Sequence, residues 1–143
     1  MNKWDMRFLE LAQHVATWSK DPSTQVGAVI VRPDRTIASV GYNGFPRGVI
    51  DEPERYAERE VKYKMVVHAE ANAILSAREP LHGYTCYVLP LAPCSSCAAM
   101  IIQSGIQRVV TTVERWEGSA QTMFQESGVT IVATEQRVFT TTR

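Results

Sequence analysis

Residues 68–112 read HAEANAILSAREPLHGYTCYVLPLAPCSSCAAMIIQSGIQRVVTT, and this stretch decides the fold. Its first ten residues are rich in helix formers. Residues 84–89 form a short apolar run typical of a strand. A second helix is predicted over 95–103, closed by Gly105, and a second strand over 106–112. Helices that alternate with short apolar strands predict an α/β fold.

The flanking segments extend the same pattern. Apolar residues at helical spacing predict an amphipathic helix over residues 3–19. The sequence predicts strands over 26–31 and 36–42, which form a hairpin, then a helix over 119–127 and a last strand over 128–133. The charged stretch 51–64 is interpreted as a solvated face or the rim of a subunit contact. We therefore expect a three-layer α/β/α sandwich with a central mixed sheet of about five strands, in one domain over residues 1–143.

Composition narrows the class of function. The 143 residues carry 15 Lys+Arg and 15 Asp+Glu, so the chain lacks the basic excess of proteins that bind long nucleic acids through phosphates. No apolar run approaches the length of a membrane span, and the N-terminus has no signal-peptide pattern. Two of the three cysteines form a C-x-x-C pair, as expected in a reducing compartment. We expect a cytoplasmic protein with no polynucleotide and no membrane partner.

Three residues have the chemistry of a catalytic zinc site. His68, Cys94 and Cys97 offer one imidazole nitrogen and two thiolates, and a catalytic zinc uses three protein ligands with its fourth position left for water. Cys94 and Cys97 lie at the start of a predicted helix, where free backbone N–H groups and the helix dipole stabilise thiolates. The remaining cysteine and histidines are interpreted as packing or surface residues: Cys86, His14 and His82.

Glu70 follows His68 by two residues and lies close to the expected metal without being a ligand. A carboxylate there can move protons between water, a ring nitrogen and a leaving amine, while zinc lowers the pKa of water to about 7. A structural zinc site would need a fourth ligand, and a redox pair would not explain His68 and Glu70. The pattern H-x-E with P-C-x-x-C is the signature of zinc-dependent deaminases.

Longer matches carry a family resemblance. They are SKDPSTQVGA (19–28), GYNGFPRG (41–48), HAEANAI (68–74) and PCSSC (93–97). With these motifs the chain resembles the deoxycytidylate (dCMP) deaminases of the cytidine deaminase-like superfamily. The resemblance implies zinc-dependent hydrolysis of dCMP to dUMP for thymidylate synthesis. It also implies a homo-oligomer, often a hexamer, that dCTP activates and dTTP inhibits, with Mg²⁺ accompanying the triphosphates.

The resemblance also implies roles for individual residues. His68, Cys94 and Cys97 match the zinc ligands, and Glu70 matches the proton shuttle. Asn43 matches the residue that contacts the sugar, Trp116 falls near a tyrosine that lines the pocket in many relatives, and Gly44 and Arg47 belong to the effector loop. Lys20 and Ser23 are candidates for the phosphate by their motif position and charge. Some relatives hold a second zinc through Cys and His ahead of H-A-E, but residues 49–67 contain neither, which predicts one zinc per chain. Residues 114–119 depart from the lysine-tyrosine version commoner among relatives.

Two alternatives stay open on sequence alone. The first is another deaminase of the superfamily, acting on cytidine, guanine or adenosine in tRNA. The neutral charge counts against the RNA substrate, and the loop around Asn43 counts against the nucleoside. The second is a zinc-stabilised binding module without activity, against which Glu70 argues, because a structural site needs no carboxylate beside its metal.

Overall fold

A five-stranded mixed sheet organises the part of the chain that the structure, a computed structural model, describes, residues 1–135. Its strands are β1 (Gly27–Val31), β2 (Ile37–Tyr42), β3 (Thr85–Leu89), β4 (Arg108–Thr112) and β5 (Thr130–Thr134). The helices are α1 (Lys3–Ala16), α2 (Pro53–Ala57), α3 (Arg59–Met65), α4 (Ala69–Ala77), α5 (Ser95–Gln103) and α6 (Gly118–Ser127). The strand order is β2-β1-β3-β4-β5; β1 pairs antiparallel with β2 and β3, whereas β3, β4 and β5 run parallel.

Helices cover both faces of this sheet. The apolar face of α1 packs on one side, where Phe8 and Leu9 meet Val29 and Val110. Helices α4, α5 and α6 pack on the other side, where Ala73, Ile101 and Phe124 belong to one buried cluster with side chains of β1, β3 and β4. The predicted three-layer sandwich around a mixed sheet of five strands is confirmed.

Two glycines permit the closest contacts between helices and sheet. A methyl group on Gly27 would overlap the backbone of Ala12 and Ala16, so α1 lies directly against β1. A methyl group on Gly41 would overlap the backbone of Ala69 and Ala73, so α4 lies directly against β2. The second contact positions the first turn of α4, which carries Glu70.

The structure differs from the sequence-based expectation at two places. The first helix ends at Ala16 rather than at residue 19, because the next backbone N–H groups bond three residues back in a tighter turn. The charged stretch forms two short helices separated at Glu58, and the prediction of a solvated face was wrong for Tyr56 and Lys62, which are buried. Within residues 1–135, none of the helices combines the length and the hydropathy that a membrane span requires.

Candidate active site

A cavity of about 290 Å³ lies at one edge of the sheet. The register of the strands explains its place: Gly27 of β1 pairs with Tyr42 of β2 and with Leu89 of β3, so the start of β1 and the ends of β2 and β3 meet at this edge. The parallel strand β4 also ends there. Ligands of α/β proteins commonly bind beyond the carboxyl ends of such strands. The lining comprises Asp21, Thr24, Val26, Asn43, Lys62, Tyr63, Val66, His68, Ala69, Glu70, Leu91, Ala92, Cys94, Arg115 and Glu117.

Two helix starts bring three metal-binding side chains together beside this cavity. His68 is the N-cap residue of α4, and Cys94 is the N-cap residue of α5, whose first turn carries Cys97. The Nδ1 atom of His68 lies 3.3 Å from Sγ of Cys97 and 3.5 Å from Sγ of Cys94. All three donor atoms lie within 4.8 Å of one another. The structure thus brings these three residues together at one point.

The three donors fit zinc. One imidazole nitrogen and two sulfurs suit its preference for nitrogen and thiolate ligands, and their separations allow bonds of about 2.0–2.3 Å to a common ion. His68 and Cys94 line the cavity, whereas Cys97 is buried behind them. The free side of the site therefore faces the cavity, as a catalytic site requires. Among residues 1–135, this is the one group of His, Cys, Asp and Glu whose donor atoms converge in this way.

Electrostatics favour a negative charge at the sulfur of Cys94. Hydrogen bonds with Cys97 and His68 lower the pKa of Cys94 to about 4. The shared hydrogen bond with Cys94 raises the pKa of Cys97, and the bond to Cys94 raises the pKa of His68. A thiolate at Cys94 is thus stabilised at the start of α5, and a bound cation would compensate its charge.

Glu70 lies on the first turn of α4 and lines the same cavity. The residue is only 4% exposed, and this burial raises the pKa of the carboxyl group to about 7. A carboxyl group with a pKa near 7 exchanges protons readily at neutral pH, which suits general acid–base catalysis. Glu70 is therefore placed beside the metal ligands in a state fit to move protons.

The side chain of Asn43 forms part of the cavity wall and ties it together. Its Oδ1 accepts a hydrogen bond of 2.8 Å from the backbone N–H of Val26, and its Nδ2 donates one of 2.8 Å to the carbonyl of Thr24. The hydroxyl of Ser19 donates to the carbonyl of Asn43 at 2.8 Å. These bonds hold the segment ahead of β1 against the end of β2.

A family model named cytidine and deoxycytidylate deaminase zinc-binding region matches residues 2–113 of the chain. The chain belongs to this deaminase family. An uncharacterized deaminase from the luxG 3′ region of Aliivibrio fischeri is 46% identical over 140 residues, covering 92% of this chain and 93% of that protein. The deoxycytidylate deaminase of Mus musculus is 40% identical over 139 residues, covering 90% of this chain and 78% of that protein.

The fold of this deaminase is also similar to a solved structure. The dCMP deaminase of the cyanophage S-TIM5, in its apo form, superposes with a TM-score of 0.75 over 94% of this chain and 100% of that one. The two sequences are 24% identical, so this likeness bears on the fold alone. It agrees with the mixed sheet and the two helical layers described above.

A buried ion pair in the wall of the deaminase cavity was missed by the sequence analysis. Nζ of Lys62 lies 2.8 Å from Oδ2 of Asp21 and donates to the hydroxyl of Ser23 at 3.0 Å. Burial opposes the ionisation of Asp21, but hydrogen bonds from Lys62, Ser23 and Thr24 prevail and lower its pKa. Asp21 also receives a long hydrogen bond of 3.5 Å from Nδ2 of Asn43. The pair thus links α3 to the wall that contains Asn43.

The residues predicted for phosphate and pocket contacts lie elsewhere in the deaminase. Lys20 has a side chain that is 72% exposed, pairs with Asp51 at 3.3 Å and does not line the cavity. Ser23 contacts Lys62 and Asp21 and does not line the cavity either. Trp116 stacks on Phe124 with ring centroids 6.0 Å apart and packs against the core on the α6 side, rather than lining the cavity.

The loop predicted for an effector lies next to the metal site. Gly44 pairs with Val67 through two backbone hydrogen bonds of 3.1 and 2.7 Å, and Val67 immediately precedes His68. Arg47 is exposed and does not line the cavity. A movement of this loop would therefore also move Val67, the residue next to His68 in the chain.

Two further wall residues follow β4, in the segment whose sequence departs from the family. Arg115 and Glu117 line the cavity on either side of Trp116. Oε1 of Glu117 accepts hydrogen bonds from the backbone N–H of Ser95 at 2.9 Å and from its hydroxyl at 2.6 Å. Glu117 therefore caps α5, the helix that carries the two cysteine ligands. The departure from the family pattern was the one signal in the sequence that marked these residues.

Proposed function

We propose that the protein catalyses the hydrolytic deamination of dCMP to dUMP and ammonia, and so supplies dUMP for thymidylate synthesis. The observation that carries this proposal is the buried Glu70 beside a nitrogen-and-two-sulfur donor set that opens on a cavity. The family of the chain supports the reaction class, and the relative from Mus musculus, named deoxycytidylate deaminase, supports the substrate.

The chain's own residues account for the proton transfers of this reaction. His68, Cys94 and Cys97 would hold zinc, which would act as the Lewis acid that makes water a nucleophile near neutral pH. The Glu70 carboxylate takes a proton from the attacking water and delivers it to N3 of the cytosine ring. A new C4–O bond forms, and a second transfer through Glu70 protonates the amino group, which leaves C4 as ammonia. The ring is left with the C4 carbonyl of uracil.

We propose that Asn43 contacts the sugar. Its amide N–H groups face Thr24 and Asp21, and its Oδ1 accepts one hydrogen bond from Val26. A carbonyl oxygen has two lone pairs, so Oδ1 can accept a second hydrogen bond, from a sugar hydroxyl in the cavity. Trp116, Lys20 and Ser23 stay predictions for substrate contacts.

We also propose that dCTP activates and dTTP inhibits the enzyme, each bound as its Mg²⁺ complex. The support is the position of the loop, because Gly44 pairs with the residue before His68 and Arg47 offers an exposed cation three residues further on. An effector that bound one arrangement of the loop better than another would change the affinity for substrate.

We propose one zinc per chain and a homo-oligomer, such as the hexamer expected from the resemblance, in the cytoplasm. The lack of Cys and His in residues 49–67 supports the single zinc. Exposed apolar side chains support an oligomer, because Leu75 on α4 is 69% exposed and Met100 on α5 is 37% exposed.

The experiment that tests the function compares dCMP, deoxycytidine, cytidine and cytosine in parallel, with the ultraviolet absorbance of the ring as the readout. We expect turnover of dCMP to dUMP with kcat/KM well above that of the other three. Preferred turnover of deoxycytidine or cytidine would instead assign the protein to nucleoside deamination. Zinc-loaded protein inactive on all four compounds would contradict a cytosine deaminase.

A further inference from the structure

The charged side chains that line the cavity are Asp21, Lys62, Glu70, Arg115 and Glu117, with His68 at the metal site. Most of them have a partner. Lys62 is neutralised by Asp21 at 2.8 Å, and Glu117 is bound to the N-terminus of α5. Glu70 lies beside the metal ligands. Arg115 differs from all of these.

The guanidinium of Arg115 is exposed and makes no hydrogen bond or ion pair with any residue of the described range, 1–135. Its backbone, in contrast, is anchored on both sides. The carbonyl of Glu114 accepts a 3.0 Å hydrogen bond from the N–H of Ala92, and Glu117 is bonded to Ser95. Arg115 also has φ of 56°, which non-glycine residues adopt uncommonly. A held backbone thus presents an unpaired cation to the cavity.

The wall of the cavity also includes residues of α3. Arg59 donates a 3.1 Å hydrogen bond to the hydroxyl of Tyr63, which also lines the cavity. The pKa of Tyr63 is lowered mainly by this bond, and the charge of Arg115 adds to the effect. Tyr63 and Arg115 therefore line the same cavity, and Arg59 is bonded to the tyrosine.

We propose that Arg115 binds the 5′-phosphate of the substrate and is the residue that sets the preference for a nucleotide over a nucleoside. This inference depends on the proposed function. A guanidinium fits a phosphate with two parallel hydrogen bonds, and an unpaired one is available without breaking an existing ion pair. Lys20 is the alternative from the sequence, but it pairs with Asp51 and does not line the cavity.

The test measures kcat/KM for dCMP and for deoxycytidine in Arg115→Ala and Arg115→Lys. Alanine keeps the Cβ atom, so the wild type and Arg115→Ala both have the unusual φ at this position. A lower kcat/KM in the variant then reports the loss of the guanidinium. Charge-assisted hydrogen bonds strengthen binding by a factor of roughly 10 to 150. We therefore expect kcat/KM for dCMP to fall by that factor in Arg115→Ala. The value for deoxycytidine should be unchanged, and lysine should restore part of the loss.

Arg78→Ala is the matched control. Arg78 is also an exposed arginine with a left-handed backbone, φ 53°, but it does not line the cavity. We expect its ratio of dCMP to deoxycytidine specificity to equal that of the wild type. Lys20→Ala is measured beside it, because Lys20 is the alternative phosphate contact predicted from the sequence.

Three results would overturn the inference. They are an unchanged ratio in Arg115→Ala, an equal loss for both substrates, which would indicate a merely structural role, and a reduced ratio in Lys20→Ala alone. In each case the wild type would still deaminate dCMP, so the proposed function would stand. Failure of the wild type to deaminate dCMP would instead contradict the proposed function, which separates the two outcomes.

Discussion

At the scale of single residues, Glu70 is the most informative side chain. It is buried beside the metal ligands, and its surroundings raise the pKa of its carboxyl group to about 7. A buried carboxyl group costs stability unless it is compensated, and such groups concentrate at functional sites. Its position two residues after His68 gives it access to the cavity without making it a ligand.

Glu70→Gln should keep the metal and lose the reaction. Glutamine has nearly the same shape but cannot carry the transferred proton, so we expect kcat to fall on the order of 10²–10⁴-fold. Zinc content, measured by atomic absorption, should equal that of the wild type. The matched control is Glu126→Gln, an exposed glutamate on α6 outside the cavity wall, which should retain full activity. Near wild-type turnover in Glu70→Gln would remove this residue from the mechanism.

The candidate metal ligands could be singled out from the sequence because two short motifs carry all three. His68 precedes one helix and Cys94 and Cys97 begin another, and the fold brings His68 and Cys94 together across 26 residues. Lys20 and Asp21 show why the residues of the cavity wall were harder to predict from the sequence. They are adjacent in the chain, yet Asp21 is 1% exposed as a residue and the side chain of Lys20 is 72% exposed. Which of two neighbours faces the cavity depends on the distant partners Lys62 and Asp51.

At the scale of elements, the contact of β2 with α4 positions the first turn of α4, which carries Glu70. The backbone of Gly41 lies so close to Ala69 and Ala73 that a side chain does not fit between them. The hydroxyl of Ser39, also on β2, donates a 2.6 Å hydrogen bond to the carbonyl of Ala73. Helix α4 is thus fixed to the edge strand by a close backbone contact at Gly41 and by the hydrogen bond of Ser39.

Gly41→Ala should destabilise the protein and reduce its activity together. The methyl group would push α4 away from β2, and overpacking of this kind costs at least about 1–3 kcal/mol. Because α4 carries Glu70 in its first turn, kcat should fall as well. Urea denaturation and the deamination assay check the two effects.

The control for this substitution is Gly118→Ala. Gly118 begins α6, has no positive φ, and a methyl group there would meet no atom within 4 Å. We expect stability and turnover close to those of the wild type. If Gly41→Ala were as stable and as active as Gly118→Ala, the close contact of β2 with α4 would have no functional importance.

Most elements were predictable because hydrophobic periodicity is strong in this chain. Each sheet strand lies within two residues of its predicted bounds, as with 26–31 against Gly27–Val31. The charged stretch failed for a physical reason. Its buried members, Tyr56 and Lys62, are held by a stacking contact with Phe45 and by an ion pair with Asp21, and neither partner is near in sequence.

At the scale of the whole molecule, a buried carboxylate ties the first helix to β3 and β4, on the face of the sheet that this helix covers. Asp5 of α1 is 1% exposed and accepts two hydrogen bonds from Arg108 of β4, at 2.8 and 2.6 Å. The hydroxyl of Tyr87 on β3 donates a third, at 2.8 Å. The hydrogen bonds from Arg108 are the main reason that the pKa of Asp5 is lowered to about 2.

Asp5→Asn should lower the stability in a pH-dependent way. A pKa lowered from 3.8 to about 2 corresponds to about 2–3 kcal/mol of the free energy of unfolding. Because the folded pKa lies below the unfolded one, this contribution is complete above about pH 5 and declines as the pH falls from about 4 to 2. Urea denaturation of both proteins at several pH values should therefore show a difference at pH 7 that shrinks in acid.

The exposed pair of Lys20 and Asp51 provides the comparison. Pairs of this kind are worth about 0–1 kcal/mol, so Lys20→Ala should change the stability little at any pH. A constant difference between wild type and Asp5→Asn from pH 7 to pH 2 would show that the charge of Asp5 does not contribute.

The most direct test of the central claim is a zinc titration of metal-free protein, with the conversion of dCMP to dUMP as the readout. Turnover should rise in proportion to added zinc and reach its plateau at one equivalent per chain. Cys86→Ala should titrate in the same way, because Cys86 lies in β3 outside the ligand group, whereas Cys94→Ala should neither bind zinc tightly nor turn over dCMP. Full turnover without zinc, or a plateau at two equivalents, would contradict the account.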